Sequence, residues 1–220
     1  MTKIFVAGAT GYIGKNVVKS ALEQNFKVVI ATRKVSADFD LKDQNLTVVE
    51  ISKSDNSWIE NLQGIDVFIS CLASRSGEPK DARSVDFKLN KLLLEKAKRI
   101  KCSQFILLSA ICVQKPRLAF QFEKLAFEKE LKNSGLNFSI IRPTAYFKSL
   151  SGQIENIKKG KPYVYFGNGE LTQCNPISEN DLSLFILSCV TDKNKWRKTL
   201  PIGGPNQSLT PKNVGEMLFE

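Results

Sequence analysis

The stretch "KIFVAGATGYIG", residues 3–14, constrains the fold of this chain more than any other. A short run of branched and aromatic side chains ends at Gly8, and a helical pattern follows, with Val17, Val18, Ala21 and Leu22 on one face. Gly8, Gly11 and Gly14 stand between them at GxxGxxG spacing. Strand, glycine-rich turn and helix make one βα unit, and the unit recurs. "KVVIAT" (27–32), "LTVVEI" (46–51), "DVFISC" (66–71), "QFILLS" (104–109) and "NFSIIR" (137–142) all read as buried parallel strands. Helical spacing separates several of them, as at Leu89, Leu92, Leu93 and Ala97. Parallel strands joined by helices require right-handed crossovers, so the predicted fold is α/β, a Rossmann-like doubly wound parallel sheet.

Such a sheet gathers ligands at the carboxyl ends of its strands. The glycines after the first strand allow a tight turn, close approach of backbone N–H groups to a pyrophosphate, and close packing of helix on strand. A dinucleotide is therefore the expected cofactor, wrapped by the loop from Gly8 to Gly14 with Thr10, Tyr12 and Ile13. The second strand ends in "ATRK", with no acid before Asp38. A carboxylate there would suit free ribose hydroxyls and repel a 2′-phosphate, whereas Arg33 can bind that phosphate in forked geometry and Lys34 adds charge. NADPH is the expected form. Cys71, Leu72 and Ala73, after the fourth strand, are expected to run past the same cofactor.

At 220 residues, one domain is expected over 1–220, with a dinucleotide-binding core at 1–145 and a small C-terminal substrate-binding portion at 146–220. That portion carries a helix, the loop "FGNGE" (166–170), another helix and an edge strand "TLPIGG", and is expected to sit over the carboxyl edge of the sheet. Thr210 and Pro211 read as a helix start. The sequence stops at "GEMLFE", still apolar on one face and without a stop signal, so the portion is expected to be incomplete.

Histidine is absent, which excludes His-based catalysis and the usual zinc and haem ligand sets. Five cysteines without a CxxC pair read as reduced structural thiols, and no apolar run is long enough for a bilayer. No targeting segment precedes the first strand, so a cytoplasmic location is expected. The net charge of +10 suits phosphates, carboxylates or an anionic membrane surface, so peripheral membrane association stays open. No nucleic-acid module accompanies the charge, and nucleic acid is not an expected partner.

The glycine spacing resembles that of the extended and atypical short-chain reductases, and "AFQFEK" (119–124) falls where that fold carries a tyrosine and, four residues later, a lysine. Lys124 is present; the tyrosine position is Phe120. The resemblance implies that Lys124 holds the nicotinamide ribose and that the phenol which normally protonates a reduced carbonyl is missing. Ketone reduction would leave an alkoxide without an acid. Reduction of a conjugated carbon–carbon double bond spreads negative charge through the π-system, and that reaction can lack the phenol.

"SCLASRSG" (70–77), "FILLSAICVQKP" (105–116), "FQFEKLAFEKEL" (120–131), "KPYVYFGNGELT" (161–172) and "LPIGGPNQSLTPKNVGEMLF" (200–219) closely resemble the divinyl chlorophyllide 8-vinyl reductase family, of NADPH-dependent atypical short-chain reductase type. The likeness runs over nearly the whole chain and implies reduction of the 8-vinyl group of divinyl chlorophyllide, or its protochlorophyllide precursor, to ethyl, with a tetrapyrrole as substrate. Lys124 and Ser109 are the expected catalytic residues, and Pro143, with Thr144, the expected wall beside the nicotinamide amide. Ser109 reads equally as a buried structural serine. Arg142 is open between the pigment's propionate and a structural acid, and Phe120, Phe122, Phe127 and Phe147 between pigment stacking and core. Tyr146 departs from the phenylalanine expected there and is not assigned as proton donor. Competing readings are an NmrA-like NADP-binding redox sensor, an isoflavone-reductase-like double-bond reductase, and an assembly subunit for a membrane complex.

Overall fold

The computed structural model describes residues 1–33, 39, 42–51 and 56–219. Its centre is β1 (Lys3–Ala7), in which Ile4, Phe5 and Val6 are wholly buried. Alternate side chains of a strand face opposite ways, so Ile4 and Val6 enter one apolar layer and Phe5 and Ala7 the other. A strand covered on both faces needs an almost continuous apolar sequence, which is why these strands are legible. Seven parallel strands form one sheet in the order β3-β2-β1-β4-β5-β6-β7, with β2 (Lys27–Thr32), β3 (Leu46–Glu50), β4 (Val67–Ser70), β5 (Gln104–Leu108), β6 (Asn137–Pro143) and β7 (Lys198–Ile202). The order reverses between β1 and β4, and the crevice at that switch point is where such sheets bind ligands.

Among the helices, α1 (Tyr12–Glu23) covers one face. The other face carries α2 (Pro79–Ala82), which runs through a π-helical stretch at Arg83–Leu89 into α3 (Asn90–Arg99), and then α4 (Ala119–Lys132). A ladder of rings joins sheet to helix on that face: Phe5 to Phe68 at 5.3 Å, Phe68 to Phe105 at 6.0 Å, and Phe105 to Phe127 of α4 at 5.8 Å. Each buried ring contributes roughly 1.5–3 kcal/mol. Phe127 therefore belongs to the core, and its anchoring fixes the helix that carries Lys124.

Short helices α5 (Phe147–Leu150) and α6 (Ile154–Ile157) follow β6, then α7 (Glu179–Thr191) and α8 (Pro211–Phe219). Beyond residue 146, two elements lie elsewhere than over the carboxyl edge. The apolar residues Leu182, Ile186 and Leu187 of α7 join the layer formed by Val17, Val18 and Ala21 of α1, with a Ser20–Ser183 hydroxyl contact of 3.1 Å between the helices. Strand β7 pairs with β6 as an edge of the main sheet. Strand β7 pairs the backbone N–H and C=O groups at the outer edge of β6, and α7 covers the apolar stripe of α1 that would otherwise meet water. Helix α8 starts as the sequence predicts, the Thr210 hydroxyl accepting from the N–H of Asn213 at 3.2 Å.

Candidate functional site

A cleft of about 1800 Å³ opens at the switch point, lined by the glycine turn, the ends of β2, β4 and β5, the π-helical stretch and the start of α4. The turn is built as the spacing requires. Gly8 has φ +75°, and a Cβ there would lie 2.7 Å from the Cys71 carbonyl oxygen; one on Gly14 would lie 2.1 Å from the Gly8 carbonyl oxygen. The N–H of Gly11 donates to the Gly8 carbonyl at 2.9 Å, and no side chain caps α1. Its first turn thus presents backbone donors and the positive end of the helix to the cleft, which suits a pyrophosphate. Thr10, Tyr12, Ile13, Arg33, Cys71, Leu72 and Ala73 line the same cleft, with Arg33 exposed at its rim. Lys34 and Asp38 lie outside the described residues.

Lys124 closes the floor. Its ammonium lies 3.0 Å from Asp86 Oδ1 in the π-helical stretch and donates to the Leu72 carbonyl at 3.3 Å. Asp86 is wholly buried at the side chain, and its Oδ2 accepts from the N–H of Ser74 at 3.3 Å. Behind it, the Asn90 amide donates to the Asp86 carbonyl at 3.1 Å and accepts from the Ser70 hydroxyl at 2.6 Å, tying the helix to the end of β4. Nothing in "DFKLNKLLLEKAKR" (86–99) distinguishes Asp86 from a solvated helix face. Phe120 sits one turn before Lys124 and lines the cleft, while Phe122 and Phe147 are exposed.

Ser109 lines the cleft but points its proton away from it. Its hydroxyl donates to Glu128 Oε1 at 2.6 Å, and Arg142 grips the same carboxylate through Nε at 3.1 Å and Nη2 at 2.5 Å. Arg142 therefore meets a structural acid, and Ser109 presents only acceptor capacity to a ligand. Glu128 is buried and was missed because its partners come from β5 and β6. Replacing Glu128 by alanine strands a largely buried guanidinium. The expected loss is about 3–5 kcal/mol, or on the order of 10 °C in thermal midpoint, whereas Glu128→Gln keeps one acceptor and loses less. Thermal denaturation of both variants checks this.

Pro143 ends β6 opposite Ile202 and is not among the residues lining the cleft. Thr144 instead donates its hydroxyl to the Asn175 carbonyl. Tyr146 does line the cleft; burial, with Cys71 and Cys112 nearby, holds its phenol well above the usual range. Tyr12 donates to Glu179 at 2.5 Å, and burial together with that carboxylate pushes its phenol up to about 12. Burial also pushes the Cys71 thiol up to about 12 against the pull of Lys124, so it stays protonated at neutral pH. All five cysteines are free thiols. Among the described residues no cluster fit for a metal ion occurs, and no helix is long and apolar enough to cross a membrane.

A parallel sheet with the crevice at its switch point, an uncapped helix behind a glycine turn and a lysine on the cleft floor define a nicotinamide-dinucleotide-binding protein of Rossmann type. The sequence profile of the family described as NAD(P)H-binding matches residues 8–193, and the chain belongs to that family. It is 46% identical to the divinyl chlorophyllide a 8-vinyl-reductase of Arabidopsis thaliana, over 99% of this chain and 57% of that protein, and 46% identical to the Cucumis sativus protein of the same name, over 99% and 56%. It is 33% identical to the photosystem II assembly factor Ycf39 of Cyanophora paradoxa, over 91% of this chain and 63% of that one. The chain thus spans less than two thirds of the length of these relatives. Among solved structures it resembles the UDP-glucuronic acid 4-epimerase of Bacillus cereus in complex with NAD, with TM-score 0.83 and 19% identity, over 99% of this chain and 82% of that one. That likeness shows the fold.

Proposed function

We propose that this chain reduces the 8-vinyl group of divinyl chlorophyllide or its protochlorophyllide precursor to ethyl, using NADPH. The observation that carries the reading is Phe120 beside Lys124 on the cleft floor: the lysine that would hold a nicotinamide ribose is kept, and the phenol that ketone reduction would need is not. The 46% identity to the divinyl chlorophyllide a 8-vinyl-reductases of Arabidopsis thaliana and Cucumis sativus supports the same reaction.

Bound NADPH would supply the hydride. The glycine turn and the first turn of α1 would hold the pyrophosphate, Lys124 would donate to the ribose hydroxyls, and Leu72 and Ala73 would flank the cofactor. Ser109, its proton committed to Glu128, would accept a hydrogen bond from the carboxamide or the substrate. The stretches 146–178 and 203–219 would cover the pigment, leaving α7 and β7 to the core. The macrocycle accepts the electron pair left by hydride addition, so protonation need not be concerted with it.

Arg33 would select NADPH by forked contact with the 2′-phosphate. Charge-assisted hydrogen bonds of that kind contribute about 1.5–3 kcal/mol, so Arg33→Ala is expected to weaken NADPH binding about tenfold or more and leave NADH nearly unchanged. Titration of both cofactors by fluorescence checks it; equal loss for both would remove the 2′-phosphate role.

The likeness to Ycf39 favours a second reading, an assembly factor that binds the dinucleotide without turnover. Incubation with NADPH and divinyl chlorophyllide, followed by pigment absorption, separates the two: loss of the vinyl signal supports the reductase, and an unchanged pigment with NADPH bound supports the assembly factor.

A further inference from the structure

The Lys124–Asp86 pair has a chemical consequence for the residue one helical turn away. Phe120 and Lys124 lie at i and i+4 on α4 and both line the cleft, so a phenol in place of the Phe120 ring would stand beside the ammonium. A lone cation close to a phenol favours phenolate and makes the phenol more acidic. An ammonium matched by a carboxylate at 3.0 Å, with side-chain exposures of 8% and 0%, presents little net charge for that purpose.

Asp86 is held rigidly for this role. The Ser74 N–H reaches Oδ2, and Asn90 and Ser70 tie its backbone to β4. Oδ1, which faces Lys124, has no hydrogen-bond donor among the described residues: the ammonium sits 3.0 Å away but off the hydrogen-bonding direction. A buried carboxylate oxygen of this kind is tolerated because a charge compensates it. The nearby charges on neighbouring elements are separately matched. Arg83 pairs with Glu123 at 2.9 Å, and Asp81 accepts from the Ser76 N–H and hydroxyl at 3.0 and 2.9 Å. Arg75 is exposed at the rim, and Cys71 and Tyr146 are held protonated by burial.

We propose that Asp86 is a positioning residue that cancels the charge of Lys124 and fixes its ammonium as a hydrogen-bond donor to neutral hydroxyls, so that this site is committed to a reduction that needs no acidic phenol. The mechanistic meaning rests on the reductase reading; the electrostatic claim does not, and is tested without turnover. Phe120→Tyr places a phenol at the site, and labelling tyrosine ring carbons with carbon-13 lets NMR follow its titration apart from the native phenols. With Asp86 in place, the introduced phenol is expected to ionise at its ordinary value of about 10 or above. In Phe120→Tyr/Asp86→Asn its acid dissociation constant is expected to rise about tenfold or more. Asp86→Ser serves in the same comparison if Asp86→Asn does not fold. A phenol that is already tenfold more acidic than usual with Asp86 present, or one whose titration is the same with and without Asp86, overturns the proposal. Loss of pigment reduction by the parent protein would overturn the reductase reading and leave this result standing.

Discussion

A Gly14→Ala protein is expected to lose both stability and dinucleotide binding. The added methyl would lie 2.1 Å from the Gly8 carbonyl oxygen and 3.0 Å from the Ala9 Cα, and neither is the free end of a side chain. Helix α1 must move away from β1, but α1 is held on its other side by α7, through Leu182, Ile186 and the Ser20–Ser183 contact. Forcing an extra methyl into such packing costs about 1–3 kcal/mol or more, which in a chain of this size lowers the thermal midpoint by up to about 10 °C. Gly11→Ala provides the contrast. A Cβ there meets only the Gly8 carbonyl oxygen, at 3.2 Å, so the fold should persist with a midpoint within a few degrees. The methyl would nonetheless stand where a pyrophosphate must approach the backbone, and NADPH affinity should fall at least about tenfold. Calorimetry and cofactor titration on the two variants check this. Equal loss of stability in both would mean that the turn is purely structural.

Lys124→Ala is expected to lower kcat/KM for pigment reduction on the order of 100-fold, through lost ribose contacts and a misplaced nicotinamide. It also leaves the buried Asp86 carboxylate unpaired, at a cost of about 3–5 kcal/mol. The two losses are separable. Lys124→Met/Asp86→Asn removes both charges, and should recover most of the stability while turnover stays low. Thermal midpoints and initial rates on the three proteins check this. Recovery of turnover together with stability would reduce Lys124 to a structural role.

The parts of this account that are legible in the sequence share one physical cause. Strands buried on both faces must be apolar throughout, and a helix that meets a strand and a phosphate at one turn must be glycine-rich there, so β1 to β6 and the cleft wall are written locally. The juxtaposition of Phe120 and Lys124 follows from helical spacing alone. Asp86, Glu128 and Asn90 were not legible, because each is defined by partners from other elements: Asp86 by Lys124 and Ser74, Glu128 by Ser109 and Arg142. Register across crossovers sets such meetings, and a single charged letter in a lysine-rich helix does not record them. Strand β7 takes the edge position that the sequence predicts, but its pairing partner and the packing of α7 against α1 were hidden for the same reason. The apolar residues of α7 and β7 announce burial, but what they bury against depends on the path of the chain after residue 146.

The central claim is that hydride passes from the nicotinamide to a conjugated carbon–carbon bond in a site that carries Phe120 where ketone reduction would need a phenol. It is tested most directly by supplying the protein with NADPH deuterated at the transferring position together with divinyl chlorophyllide, and reading the pigment by mass spectrometry. The account predicts an 8-ethyl product carrying deuterium from the cofactor and a second hydrogen from water, formed much more slowly by Lys124→Ala. Tight NADPH binding with the pigment's 8-vinyl group unchanged and no deuterium in it would contradict it.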